Sequence, residues 1–237
     1  MSRPSKKALS PPRRIAPITS LDPAPSLTAE AYRLLRWDIL AGRLKPGEKL
    51  KLDVLRDRYG GGATPLREAL SQLSAEGLVD RQENRGFRVK PASAADFRNL
   101  LEARCIVEAA AVRLAIANGS EAWEDTLVVA ESRLARLDRP VLNDDIAHEW
   151  ESAHRRFHMA LIDAAANPHL LEMCGRLYDR AIRYRALATT RAYPARDIET
   201  EHKAIVAAAL DRDADRAVEC LLSHYRQTGT YLIEALK

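Results

Sequence analysis

Two histidines four residues apart, His154 and His158 in "HEWESAHRRFHMALID", fall on one face of any helix that runs through them. Imidazoles at that spacing can bind one metal ion, and imidazoles from neighbouring helices can complete its shell. His202 precedes Ile205, Val206 and Ala209 on a similar inward face, and His224 follows Leu221 and Leu222. The plainer alternative is four histidines at the edge of a core, hydrogen-bonded to backbone or carboxylates, and spacing alone leaves both readings open. A zinc hydrolase is a third reading. It lacks a general base, because Arg155 stands where a zinc peptidase keeps its glutamate.

A second chemistry is written in "TPLREALSQLSAEGLVDRQENRGFRV", Thr64 to Val89. Pro65 suits a first helical turn, Gly77 stops the helix, and two short apolar runs flank the polar "QENRG". Leu66, Ala69, Leu70 and Leu73 form the inward stripe, leaving Thr64, Arg67, Glu68, Ser71 and Gln72 outside. Arg67 can pair bidentately with guanine O6 and N7. Its bland alternative is a surface ion pair with Glu68 or a neighbour. Lys51, Thr64 and Arg88 read as phosphate or solvent contacts, and Asn84, Arg85 and Gly86 as a hairpin tip that approaches the DNA backbone or minor groove.

The elements that must position these groups follow from periodicity. Residues 1 to 26 hold six prolines and five basic residues with no period and read as a disordered basic arm. Thr28 is the expected cap of a helix carrying Ala31, Leu34, Leu35, Ile39 and Leu40, which ends near Gly42, and "LKPGEKL" is a turn. A second helix spans about Leu52 to Tyr59, and "GGGA" breaks it. Helix, helix, turn, helix and hairpin, over 27 to 90, make a winged helix-turn-helix. From 93 to 237 everything reads helical. Ser93 and Asp96 cap a helix through Phe97, Leu100, Leu101, Ile106, Ala109, Ala110, Leu114 and Ala115, ending near Gly119. Further helices are expected at about 122 to 137, 143 to 166, 169 to 189, 197 to 211 and 213 to 236. "RPVLN", "ANPH", "YPAR" and "DRDAD" separate them. Ile146, Trp150, Ala153, Phe157 and Leu161 mark the core stripe of the helix that bears His154 and His158. The fold class is mainly α.

Charge is divided along the chain. The net charge of +4 arises from an excess of lysine and arginine through residue 90, whereas acidic residues outnumber basic ones thereafter. A nucleic-acid-binding head on a neutral-to-acidic body has that signature, as does a merely solvated basic face. Cys105, Cys174 and Cys220 form no CxxC pair and sit in helical stretches, which points to reduced, packed thiols and a cytoplasmic protein. No apolar run approaches a membrane span, so no membrane partner is expected.

The segments "ILAGRLKPGEKL", "LRDRYG", "TPLREALSQLSAEGLV" and "RGFRV" resemble the N-terminal domain of the GntR superfamily of bacterial transcription regulators. The family's usual Ser-Arg pair before Thr-Pro is replaced here by Gly62 and Ala63, so one base-reading arginine is missing. "FRNLLEARCIVEAAAVRLA", "HRRFHMALIDAAANPHL" and "EHKAIVAAALDRDADRAVECLLSHY" resemble the all-helical FCD effector domain of the FadR-type branch. That resemblance implies a divalent metal held by an aspartate and three histidines, at positions matched here by His154, His158, His202 and His224, with the aspartate replaced by histidine. The expected ion is zinc, with nickel or another transition metal as alternatives. The resemblance further implies a cavity-facing Arg104 that pairs with an effector carboxylate, the alternative being a surface pair with Glu108 one turn on; Arg183 and Tyr184, on the fourth bundle helix, are additional candidate effector contacts. "RYGGGATPLREALSQL" and "RLYDRAIRYR" are similar to the carbon-starvation-induced regulators, which implies a small carboxylate, specifically a dicarboxylate, as effector. A homodimeric repressor on a palindromic double-stranded operator is the expected function. The rivals are a metal-dependent enzyme with a regulatory head and a helical scaffold that binds protein through its basic head.

Overall fold

The computed structural model describes residues 26–83, 85–138, 144–188 and 196–236. The arm up to residue 25, Asn84 at the hairpin tip, the "RPVLN" linker and most of "YPAR" lie outside the described residues. The chain divides into two compact units, the first ending at Lys90 and the second beginning at Pro91, with residues 40–43 grouped in the second.

The first unit contains α1 (Leu27–Leu40), β1 (Lys49–Leu50), α2 (Leu52–Tyr59), α3 (Ala63–Ala75), β2 (Val79–Gln82) and β3 (Gly86–Val89). Because α1 begins at Leu27, its cap is Ser26, whose Oγ accepts the Ala29 N–H at 3.1 Å. The expected cap, Thr28, lies inside the first turn and donates its hydroxyl to Glu68 of α3 at 2.7 Å. Leu35, Leu55, Leu66, Leu70 and Leu73 are buried, each contributing about 1.5–3 kcal/mol by leaving water. Polar ties fix the helices around that core. Asp38 accepts the Tyr59 hydroxyl at 2.5 Å and Arg58 at 2.6 Å, and Tyr32 donates to Glu76 at the end of α3 at 2.5 Å.

The hairpin is a three-stranded antiparallel sheet in the order β1-β3-β2, with Leu50 opposite Phe87 and Gln82 opposite Gly86. The strand β1 was expected to be turn. Two residues carry no period to read, and the pairing depends on bonds such as Val89 N–H to the Glu48 carbonyl at 2.9 Å. At the end of the turn Gly86 has φ +84°, a conformation that disfavours any side chain.

The second unit is all helical: α4 (Ala94–Asn118), α5 (Glu121–Ala135), α6 (Asp144–Ile162) running into a 3-10 turn (Asp163–Ala165), α7 (Pro168–Ala188), α8 (Ile198–Leu210) and α9 (Ala214–Ala235). Ser93, Ser120, Asp197 and Asp213 each accept a backbone N–H from the first turn of the helix they cap. α4 packs on α7 and α9, α5 on α6, and α8 on α9. Trp150, Ala153, Phe157 and Leu161 are buried as their spacing requires, while the Ile146 side chain lies outside the described residues. Three residues of the α4 stripe, Ile106, Ala110 and Leu114, are exposed against the expectation. Ile106 is 67% and Leu114 41% exposed, because the inward face of α4 runs through Leu100, Arg104, Glu108, Ala111 and Ala115. The three cysteines are free thiols, and burial pushes Cys174 up to about 12. Among the described residues no helix is long and apolar enough to cross a membrane.

Candidate functional site

The outer face of α3 is open. Thr64, Arg67, Ser71 and Gln72 are exposed, as are Lys51 at the start of α2 and Arg85 and Gly86 at the hairpin tip. Arg67 does not pair with Glu68, which is engaged by Thr28. Its guanidinium makes no hydrogen bond or ion pair among the described residues. The Ser71 hydroxyl donates to the Arg67 carbonyl at 2.9 Å, so its oxygen is left outward as an acceptor. Arg88, expected as a phosphate or solvent contact, is half-buried and donates to the Gly47 carbonyl. It pins the β1 edge of the hairpin. Asn84 is outside the described residues.

In the helical unit, α6 brings His154 and His158, α8 brings His202 and α9 brings His224 to one buried point. One ring nitrogen from each lies within 4.8 Å of the others. The rings are tightly grouped, with centroids of His202 and His224 4.8 Å apart and of His154 and His158 4.5 Å apart. Burial, followed by the neighbouring cationic groups, pushes His154 and His158 well below the usual histidine range, and burial lowers His224 as well, against the pull of Glu201. All three are neutral imidazoles, the form that binds metal.

The outward ring nitrogens are held. His154 Nδ1 meets the Tyr178 hydroxyl at 2.7 Å, His158 Nδ1 meets the Tyr225 hydroxyl at 3.0 Å, and His224 Nδ1 meets Glu201 at 2.8 Å. Burial raises both phenols well above their usual range, so they remain protonated. Burial opposes ionisation of Glu201, but bonds from His224 and Arg196 bring it down to about 2. Nδ1 bonding of this kind turns Nε2 inward, and the Nε2 atoms of His154 and His158 face each other at 3.1 Å. Two neutral imidazole lone pairs at that separation repel, and a cation between them relieves the repulsion. The four residues fit a transition-metal ion.

Beside the cluster lies a cavity with Phe97, Leu100, Leu101, Trp150, Ala181 and Leu232 in its wall and Arg104, Arg185, His154, His224, Tyr225 and Thr228 as its polar groups. Arg104 is 4% exposed and its partner Glu108 1%, so the pair expected as a surface alternative exists but is buried. Arg104 also donates to the Tyr225 hydroxyl at 2.8 Å, and its guanidinium sits 3.9 Å from the Tyr225 ring centre. Arg183 and Tyr184 are not among the lining residues. Arg183 donates to the Pro91 carbonyl at 3.0 Å and to the Tyr184 hydroxyl at 3.1 Å, and Tyr184 donates to Asp96. They fasten α7 to the start of α4. The second lining cation is Arg185, paired with Glu151. Sequence reasoning, which chose Arg183 two residues earlier on the same helix, missed it. Arg155 points away from the histidines onto Asp179 at 2.8 Å.

Comparison with known proteins covers both units. Residues 27–89 match the family model of bacterial regulatory proteins, gntR family, and residues 99–227 match the FCD domain. The chain is 39% identical over 201 residues to the HTH-type transcriptional regulator BphR of Paraburkholderia xenovorans, covering 84% of this chain and 82% of that protein. It is 37% identical over 211 residues to the HTH-type transcriptional repressor GlaR of Escherichia coli, covering 87% and 92% respectively. Among solved structures, E. coli McbR/YncC has a TM-score of 0.74 over 89% of this chain and 99% of that one, at 24% identity. A putative GntR regulator from Rhodococcus sp. RHA1 has a TM-score of 0.69 over 90% and 100%, at 21% identity. These two likenesses are of fold.

Proposed function

The chain belongs to the gntR family of bacterial regulatory proteins, in the branch that carries an FCD domain, and on that premise we propose a metabolite-responsive repressor that binds a palindromic operator as a homodimer. It is a transcription regulator, and the enzymatic alternative drops out because the relatives matched are regulators too. Repression is carried over from the relative named a repressor, and a cytoplasmic location follows from work on DNA. In this reading residues 27–90 bind DNA, with Arg67 on a base edge and Lys51, Thr64, Ser71, Gln72, Asn84, Arg85 and Gly86 around it. Residues 93–237 bind the effector and form the dimer.

The observation that carries the sensing half is the meeting of four buried histidine nitrogens within 4.8 Å beside a cavity lined by two guanidiniums. His154, His158, His202 and His224 hold a divalent ion, zinc first and nickel as the alternative. When bound, the ion supplies a Lewis-acidic point that a carboxylate oxygen can join. Four neutral imidazoles leave its double charge uncancelled, which favours an anionic ligand. Arg104 and Arg185 face the same space from the protein side and pair with a carboxylate bidentately. A dicarboxylate satisfies both cationic sides of the cavity. The effector alters operator affinity by the difference in its affinities for the two states, typically about 1–3 kcal/mol.

The test is to capture genomic fragments on the purified protein, sequence them, and challenge the complexes with dicarboxylates of increasing chain length. Palindromic fragments bound by two chains and released by one acid support the reading. Fragments without twofold symmetry, or release by none of the acids in the metal-loaded protein, overturn it.

A further inference from the structure

We infer that Tyr178 and Tyr225 are positioning residues that set the tautomers of two metal-ligand histidines, each standing midway in a hydrogen-bonded chain from a cavity arginine to an imidazole. The inference rests on the metal reading above and assigns a task to side chains that do not touch the ion. The first chain runs from Arg185 to Glu151, to the Tyr178 hydroxyl, to His154 Nδ1. The second runs from Arg104 to Glu108, to the Tyr225 hydroxyl, to His158 Nδ1. The same order of guanidinium, carboxylate, phenol and imidazole thus occurs twice. It is assembled from α6 and α7 in one case and from α4, α6 and α9 in the other, with no sequence repeat behind it.

Proton counting gives the direction. A phenol has one proton to donate, and a carboxylate paired with a guanidinium accepts only. Tyr178 donates to Glu151 at 2.9 Å and Tyr225 donates to Glu108. Each phenol oxygen can then only accept from the histidine beside it. His154 and His158 must carry their protons on Nδ1, leaving both Nε2 lone pairs facing inward at 3.1 Å. A histidine with a proton on Nε2 would close that position to a metal. Because each carboxylate is shared between a tyrosine and an arginine, an anion that draws either arginine away also changes the hold on a ligand histidine. Metal and effector are coupled through these two phenols.

The molecule supplies its own control. Tyr184 is also buried and also donates to a carboxylate, Asp96, with Arg183 beside it, but no histidine meets its hydroxyl.

The experiment titrates the metal-free full chain with zinc against a competing chelator and reads ring tautomers by 15N histidine NMR. Y178F and Y225F are expected to weaken zinc binding roughly 10–100-fold and to release His154 or His158 from the Nδ1–H form. Y184F should leave both readouts unchanged. Where a phenylalanine variant fails to fold, E151Q or E108Q replaces it with the same expectation, since an amide can also donate to the phenol oxygen. Wild-type zinc binding with unaltered affinity and tautomers in both variants overturns the inference and leaves the metal reading intact. An equal loss in Y184F also overturns it, by showing a general packing effect. A wild-type chain that binds neither zinc nor nickel overturns the metal reading itself.

Discussion

Among the described residues Arg67 spends none of its five N–H donors on a neighbour, so they are open to an outside acceptor. Replacing it with alanine should cost about 1–3 kcal/mol of operator affinity and relax base preference at one position per half-site. Fluorescence anisotropy against the captured operator and its single-base variants checks this; unchanged selectivity would remove Arg67 from the reading face. Among the histidines, His158 Nε2 faces His154 and its Nδ1 meets Tyr225, so H158A removes a donor from the centre of the cluster. Elemental analysis should find about one ion per wild-type chain and a large loss in H158A, without help from an affinity tag. The four histidines were legible through the family resemblance, because spacing alone leaves a hydrogen-bonded core edge as open as a metal site. Tyr178 and Tyr225 were not, because their bonds cross between helices and leave no interval along the chain. Arg183 and Tyr184 misled for a related reason. They are buried polar residues on the correct helix, but their partners are Asp96 and the Pro91 carbonyl.

Helix limits were legible to within a few residues because polar caps and apolar stripes agree along most of the second unit. They failed where the interior is itself polar. On α4 the buried face includes Arg104 and Glu108, so reading apolar residues alone admits Ile106 and Leu114, which face outward. The two-residue β1 was invisible for want of length, and Ser26 was overlooked because both it and Thr28 can cap a helix. Gly119 ends α4 as expected, and the reason a glycine stands there is space. A methyl group there would stand 2.3 Å from the Trp123 ring and 2.9 Å from the Ala115 carbonyl. G119A should therefore destabilise the protein by about 1–3 kcal/mol through overpacking. A lowered thermal midpoint with unchanged metal content is the expected result, and an unchanged midpoint would mean that Trp123 moves aside freely.

At the scale of the whole chain, the basic excess lies in the first 90 residues, so DNA affinity should fall steeply with salt. K51A and R85A should each weaken binding similarly for all sequences and reduce the log–log salt slope by about 1. A slope that stays constant would place those side chains off the backbone. The buried histidines set a second global dependence. His154, His158 and His224 are kept neutral in the metal-free fold, whereas in the unfolded chain they take up protons near pH 6.5. The unfolded state binds more protons below that pH, so stability is full above about 6.5 and is lost as pH falls, by up to about 1.4 kcal/mol per unit for each histidine. Urea midpoints of metal-free protein should drop from pH 7 to 5; a level midpoint would mean that the imidazoles are already charged in the fold. The Trp150 indole stacks on the His154 ring at 4.6 Å and 17° and also forms part of the cavity wall. Any occupant of either place changes the surroundings of that indole, so the emission of this one chromophore should report loading of the regulator without an added dye.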